Sequence, residues 1–402
     1  MEQINVEFGD EVKKALFGVV KDLLQMDTFK VRIEPGSRKG DNFIGIVYHI
    51  IFCTADEKET SKLFLKVAPS DEYRRKQFHV RKCFLREIYI YEKILPYFRE
   101  FQEDRDILVN EDGFHEYCLC YKSIDAEPIE CLFLQDLSKL SFSMVDKREV
   151  TVEHILLVMN LLGKFHAVSY AIKDQQPDQF SEIVNKLQEH IYRHGYSSDL
   201  TEAYNAAAMN VINSITDDQD VHLLEAVLRL YERDQYDIMV ECVDGNAAEP
   251  HAVIVHGDMW SNNTMFQFND ANIPTKACLI DWQIARYASP VLDVLYYIFL
   301  STTKELRGRN YNMYLKTYYE SLSSHLRRLG SDPDEVFPFS ALQEQLQKFG
   351  KYALIQASFL LPVLMAEVDI DVENNNSSPD LSDIFKTRLR DIASDVYRLG
   401  YI

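Results

Sequence analysis

The chain has 402 residues, more than a single hydrophobic core usually serves, so two domains or two lobes are expected. Its composition, 47% hydrophobic and 26% charged, is that of a soluble globular protein and excludes collagen, coiled coil and wholesale disorder. A formal net charge of -20 argues against nucleic acid as a partner, and against docking on anionic membranes through a polybasic patch.

The start, Met1-Glu2-Gln3-Ile4, has no apolar h-region, so no signal peptide is expected. The longest uncharged apolar stretch, 352–366, is shorter than a membrane span requires and reads as a buried helix. The seven Cys are irregularly spaced and include no Cys-x-x-Cys. They read as reduced thiols in cores, which fits a cytoplasmic protein.

Val12, Leu16, Val19 and Leu23 repeat at helical spacing, so the chain opens with an amphipathic helix. Two strands with a Gly-containing turn follow, around Arg32-Ile33 and across 44–52. Residues 63–67 form another strand. Residues 77–97 read as a helix that buries Phe78, Phe84, Ile88, Tyr91 and Leu95. Residues 117–121 and 131–134 read as two more strands. After Asp136-Leu137, helical periods dominate from Val152 to Tyr170, from Gln179 to His194 and from Val221 to Tyr236. A β-rich island between Ala252 and Trp282 interrupts them, and helices resume to the end. The polar run 373–380 reads as a loop without function.

The island holds the chemistry. An apolar strand, Val253-Ile254-Val255, delivers His256-Gly257-Asp258, and a polar loop leads to Asn263. Phosphoryl transfer needs such a pair: a carboxylate to take the proton of the attacking hydroxyl and an amide oxygen to help hold magnesium. An Asx-rich turn at a strand end is the competing reading. A second strand ending at Asp281 decides for chemistry. A hairpin from Asn263 to Asp281 would supply the second magnesium ligand, as in the kinase Asp-Phe-Gly element.

This motif asks for a lysine and a glutamate upstream. Lys66 ends a strand, and Glu87 lies on the next helix. An ion pair between them would aim the lysine at the nucleotide phosphates, although surface Lys and Glu are common. The turn 36–42, with Gly40, Asp41 and Asn42, sits where a phosphate-covering loop belongs. It matches neither Walker A nor G-x-G-x-x-G, and an ordinary hairpin loop competes.

These segments resemble the ecdysteroid-kinase-like (CHK-kinase-like) family of insects, within the choline kinase and aminoglycoside phosphotransferase superfamily. The likeness runs through Lys39-Gly40-Asp41-Asn42-Phe43, Phe64-Leu65-Lys66, Arg86-Glu87-Ile88, Gln135-Asp136-Leu137, Leu162-Gly163-Lys164-Phe165-His166, His256 to Phe266, and Ile280-Asp281-Trp282-Gln283 with Ser289-Pro290 and Asp293. Trp260 with Asn262-Asn263 is its most specific piece.

The resemblance implies an α+β, bilobal protein-kinase-like fold. Residues 1–137 would form a small antiparallel-sheet lobe and 138–402 a larger, mainly helical one. It implies Asp258 as catalytic base, Asn263 and Asp281 as magnesium ligands, and Lys66 with Glu87 as the phosphate-anchoring pair. Gln135 to Leu137 would be a hinge that reads adenine through its backbone. His256 and Asp293 would brace the catalytic loop, and Trp260 would support it. Two departures, Gln135 for Glu and Ser141 for Gly, touch no catalytic position.

The expected activity is ATP- and magnesium-dependent phosphorylation of a hydroxyl on a small molecule. By resemblance, the acceptor is an ecdysteroid or another hydroxylated lipophilic compound or xenobiotic. A catalytically silent nucleotide- or ligand-binding member of the fold is the alternative. A protein acceptor is disfavoured, because only 282–289 separate Asp281 from Pro290 and leave no room for an activation loop. Tyr311, Tyr314, Tyr318 and Tyr319, with Phe359, Leu360, Leu361 and Leu364, read either as acceptor wall or as plain helical core.

Overall fold

The computed structural model describes residues 8–24, 29–36, 44–53, 59–146, 149–195, 198–215, 220–365 and 383–402. The predicted phosphate-covering residues Gly40, Asp41 and Asn42, and the polar run 373–380, lie outside them. The described residues fall into two compact units. One is drawn from Met1–Pro96, Tyr117–Ser143 and Cys278–Ile284, the other from Tyr97–Glu116, Met144–Ala277 and Ala285–Ile402.

The first unit is built on a five-stranded antiparallel sheet in the order β1-β2-β3-β5-β4. Its strands are β1 Lys30–Pro35, β2 Ile46–Cys53, β3 Glu59–Val67, β4 Cys120–Ile124 and β5 Cys131–Gln135. The amphipathic helix Asp10–Leu24 lays Val12, Leu16, Val19 and Val20 on Ile50, Phe52, Leu63, Leu65 and Phe133. Alternation along β3 sends Leu63 and Leu65 into this core, so Lys66 belongs to the opposite face.

The second unit is mainly helical. Its longest helices, Val152–Gln175 and Lys304–Arg328, pack along each other. Gly163 makes their approach possible, because a Cβ there would lie 2.6 Å from the Tyr318 carbonyl oxygen. Val152–Gln175 is long and apolar enough to cross a membrane, but most of its apolar window is buried among neighbouring helices. Two short β-pairs are also present: β6 Val253–Val255 with β9 Arg286–Ala288, and β7 Thr264–Phe268 with β8 Pro274–Leu279. The hairpin expected between Asn263 and Asp281 is the β7–β8 pair.

The expected class, a small antiparallel sheet and a mainly helical remainder, is therefore met. Four elements differ from their sequence reading. The helix expected over 77–97 is broken by His79 in the left-handed region (φ 47°), and a π-turn at Ile90–Ile94 separates Val80–Tyr89 from Leu95–Glu103. β4 begins only at Cys120, because Tyr117 bridges to Leu279 instead.

The helix expected over 179–194 ends at Val184. Beyond it the Glu189 carboxylate accepts the backbone N–H groups of His190, Ile191 and Tyr192, which replaces helical carbonyls with a side chain. The helix from Val221 stops at Tyr231, and Asp234 caps a new one, Gln235–Val243.

Candidate active site

In the sheet unit, Lys66 sits opposite Val47 on β2 and Leu132 on β5. Its ammonium donates to Glu87 Oε2 at 2.7 Å and to Asp281 Oδ1 at 2.9 Å, and the Gln283 amide oxygen lies at 3.5 Å. Glu87 faces inward because the helix Val80–Tyr89 also buries Cys83, Phe84 and Ile88 on that side. Asp281 follows β8 with φ 67°, a left-handed conformation that a non-glycine residue adopts at a cost of about 1–3 kcal/mol. Such strain persists only where the surroundings impose it, and it concentrates at functional positions.

One cation thus serves two carboxylates in a buried setting. Burial works to lower the Lys66 pKa, but Asp281 and Glu87 outweigh it, so the ammonium is held charged. Burial pushes the Glu87 carboxyl up to about 7, against the attraction of Lys66 and with repulsion from Asp281 adding to the rise.

Gln135 ends β5, and its N–H donates to the Leu119 carbonyl while its side-chain oxygen accepts the Leu119 N–H. Asp136 caps the following 3₁₀ turn through Ser138 N–H. Leu137 is the first residue of that turn, where an N–H precedes the reach of helical bonding and is left for another acceptor.

In the helical unit, β6 is wholly buried and ends at His256-Gly257-Asp258. The turn requires Gly257 at φ 84°, a conformation that a Cβ would disfavour. Asp293 Oδ2 accepts His256 N–H at 2.7 Å, and Oδ1 accepts Gly257 N–H at 2.9 Å. His166 Nε2 lies 3.3 Å from Asp293 Oδ2, and its Nδ1 lies 2.9 Å from the Tyr318 hydroxyl. Asp293 is buried. Burial alone would raise its pKa, but the bond and charge of His166, with His256 and Gly257 N–H, hold it below the ordinary carboxylate value.

The loop after Asp258 is closed by Trp260 N–H to the Asp258 carbonyl and by Asn263 N–H to the Trp260 carbonyl. The Asn263 side-chain NH₂ donates to Asp258 Oδ2 at 2.8 Å and to the Asp258 carbonyl at 2.9 Å. Tyr296 hydroxyl donates to the other carboxylate oxygen, Oδ1, at 2.8 Å.

Sequence reasoning does not single out Tyr296 or Gln283 as site residues. Tyr296 stands three residues after Asp293 on the helix Val291–Ser301, so the two share a face, and that spacing is the signal available for it. Of the predicted wall residues, Tyr311 bonds to Tyr401 and Tyr318 to His166, while Phe359 stacks on Tyr204 at 4.2 Å.

No curated protein sequence matches the chain. Among solved structures it is similar to an ethanolamine kinase of Plasmodium vivax at 13% identity and TM-score 0.43, covering 99% of this chain and 93% of that one. It is also similar to the GDP complex of aminoglycoside 2'-phosphotransferase-IIIa at 9% identity and TM-score 0.38, covering 97% and 99%. A third likeness is to glucosamine kinase in complex with glucosamine, ADP and inorganic phosphate, at 10% identity and TM-score 0.36, covering 94% and 96%. Residues 39–331 match the ecdysteroid kinase-like family. That match covers most of the sequence: the chain belongs to the ecdysteroid kinase-like family and is a small-molecule phosphotransferase.

Proposed function

We propose that the protein transfers the γ-phosphoryl group of ATP, with magnesium, to an alcohol hydroxyl of an ecdysteroid or another hydroxylated lipophilic compound. The observation that carries this reading is Lys66, buried and bonded to both Glu87 and Asp281, residues far apart in sequence. A buried ammonium fixed by two carboxylates is aimed rather than mobile, as the anchoring of nucleotide phosphates requires.

Each side chain then has its own part. Asp258 accepts the proton of the acceptor hydroxyl as that oxygen attacks, and Asn263 and Tyr296 hold its carboxylate in place. Asn263 and Asp281 are the magnesium ligands. Their donors are an amide oxygen and a carboxylate, the hard oxygens that magnesium takes. Bound magnesium would neutralise charge on the phosphate oxygens during transfer. The Leu137 N–H is the backbone donor to adenine, beside Gln135. His256, Trp260 and Asp293 keep the catalytic loop in shape.

A small acceptor suits the short segment after Asp281, since Arg286–Ala288 is already strand β9 paired with β6. No stretch of activation-loop length remains before Pro290. The test is a thermal-shift titration with ATP and magnesium, followed by mass spectrometry of an ecdysteroid panel. Stabilisation by ATP-magnesium that is lost in Lys66→Met, together with a product heavier by one phosphate, is expected. Stabilisation with no product from any acceptor would favour a silent binding member, and no stabilisation would contradict the nucleotide assignment.

A further inference from the structure

Within the sheet unit, the pairing of Gln135 with Leu119 is an unfinished step of the β4–β5 ladder. A bulge shifts the register of β4 between Cys120 and Lys122, which sets Leu119 rather than Cys120 opposite Gln135. A hydrogen-bonded antiparallel pair exchanges two backbone bonds. One is made here, from Gln135 N–H to the Leu119 carbonyl at 2.8 Å. The return bond goes elsewhere: Leu119 N–H donates to Gln135 Oε1 at 3.3 Å, so the side chain stands in for the carbonyl of its own residue. The Gln135 carbonyl then meets no donor among the described residues. Its neighbours are committed. The Asp136 carbonyl accepts Lys139 N–H at 3.3 Å, the Leu137 carbonyl accepts Phe142 N–H at 3.1 Å, and Asp136 Oδ1 accepts Ser138 N–H at 2.9 Å. That leaves the Gln135 carbonyl and the Leu137 N–H as an acceptor and a donor two residues apart. Asp136 between them is extended, with φ -80° and ψ 102°, which turns both groups to one side of the chain.

We propose that the Gln135 side chain is a positioning group for base recognition: by holding the Leu119 N–H, it releases its own backbone carbonyl to accept the 6-amino group of adenine. The inference rests on the reading of residues 135–137 as the nucleotide hinge. Adenine carries an amino donor beside a ring-nitrogen acceptor, and the Gln135 carbonyl and Leu137 N–H are their complements. Guanine carries a carbonyl oxygen and a ring N–H at those places, which would set acceptor against acceptor and donor against donor. Glutamate at this position offers an acceptor oxygen at the same reach. Glutamine therefore keeps the role while removing a negative charge from the edge of the base. An apolar side chain would return the Leu119 N–H to the backbone carbonyl and close the pair.

The experiment measures binding of two probes to the full-length protein in the presence of magnesium: ATP, and purine riboside 5′-triphosphate, which lacks only the 6-amino group. Both carry the same triphosphate, so the ratio of their dissociation constants reports on the base edge and not on the phosphate end or on general loosening. Wild type is expected to hold ATP about five- to tenfold more tightly, the contribution of one hydrogen bond. Gln135→Leu should bring the ratio to about one, because the Leu119 N–H recaptures the carbonyl. Gln135→Glu retains the acceptor and should keep the ratio within about twofold of wild type. Gln135→Ala repeats the truncation if Gln135→Leu does not fold. A wild-type ratio that survives truncation, or that is lost equally in Gln135→Glu, overturns the proposal, as does a wild type that binds both triphosphates alike. A wild type that binds neither would instead remove the nucleotide assignment itself, so the two failures are distinguishable.

Discussion

Asn263 spends its side-chain NH₂ on Asp258, 2.8 Å from Oδ2, and this decides which end of the amide remains. The remaining end is the carbonyl oxygen, the group a hard cation takes. Replacing Asn263 by Ala should raise the magnesium concentration needed for half-maximal phosphate transfer by at least about tenfold. Asn263→Asp should be no rescue, because two carboxylates would then compete for one proton. Activity assays over a magnesium series check both, and an unchanged requirement in Asn263→Ala would remove that residue from the metal site.

Glu87 predicts a specific pH dependence. Its carboxyl is raised from 4.5 to about 7, so between those values the folded state holds more protons than the unfolded one. Stability from this group is full below the unfolded value and is lost as pH rises through about 7. Denaturant titrations from pH 5 to 8 should show wild type losing stability relative to Glu87→Gln. Parallel curves would show that Glu87 titrates as an ordinary carboxyl. Added magnesium and ATP should flatten the difference, because a cation held by Asp281 offsets its repulsion of Glu87.

Asp293 works in the opposite direction. Its pKa is depressed, so its contribution is present above the unfolded value and disappears as pH falls through the folded one. Asp293→Ala leaves the His256 and Gly257 N–H groups and the His166 ring without their acceptor in a dry interior. At about 1–3 kcal/mol for each buried group left unsatisfied, a loss of about 3 kcal/mol or more is expected. Asp293→Asn should recover only part of it, because one oxygen becomes a donor facing a donor. Chemical denaturation of the three proteins measures this. Equal stability would mean that the turn does not depend on Asp293.

Much of this was legible in the sequence because it is local. The apolar strand before His256 and the strand before Asp281 mark their own ends, and the alternation at Leu63, Leu65 and Lys66 assigns the lysine to its face. The Lys66–Glu87 contact follows from a strand and the next helix. What escaped depends on side chains that override propensity. The Glu189 carboxylate gathers three backbone N–H groups and holds the chain out of a helix that periodicity favoured. Tyr296 reads as one more apolar position in a helix buried along its whole length. Its hydroxyl, meeting Asp258 from a segment 38 residues away, is what separates it from Tyr297.

The proposed chemistry turns on Asp258 taking the proton from a small-molecule hydroxyl during phosphate transfer from ATP. Single-turnover reactions of wild type and Asp258→Ala, with ATP and magnesium saturating, isolate that step, and mass spectrometry follows the phosphorylated ecdysteroid. Loss of general-base help should slow transfer by about 10²–10⁴-fold, with nucleotide binding retained. Equal rates in the two proteins would mean that Asp258 is not the base.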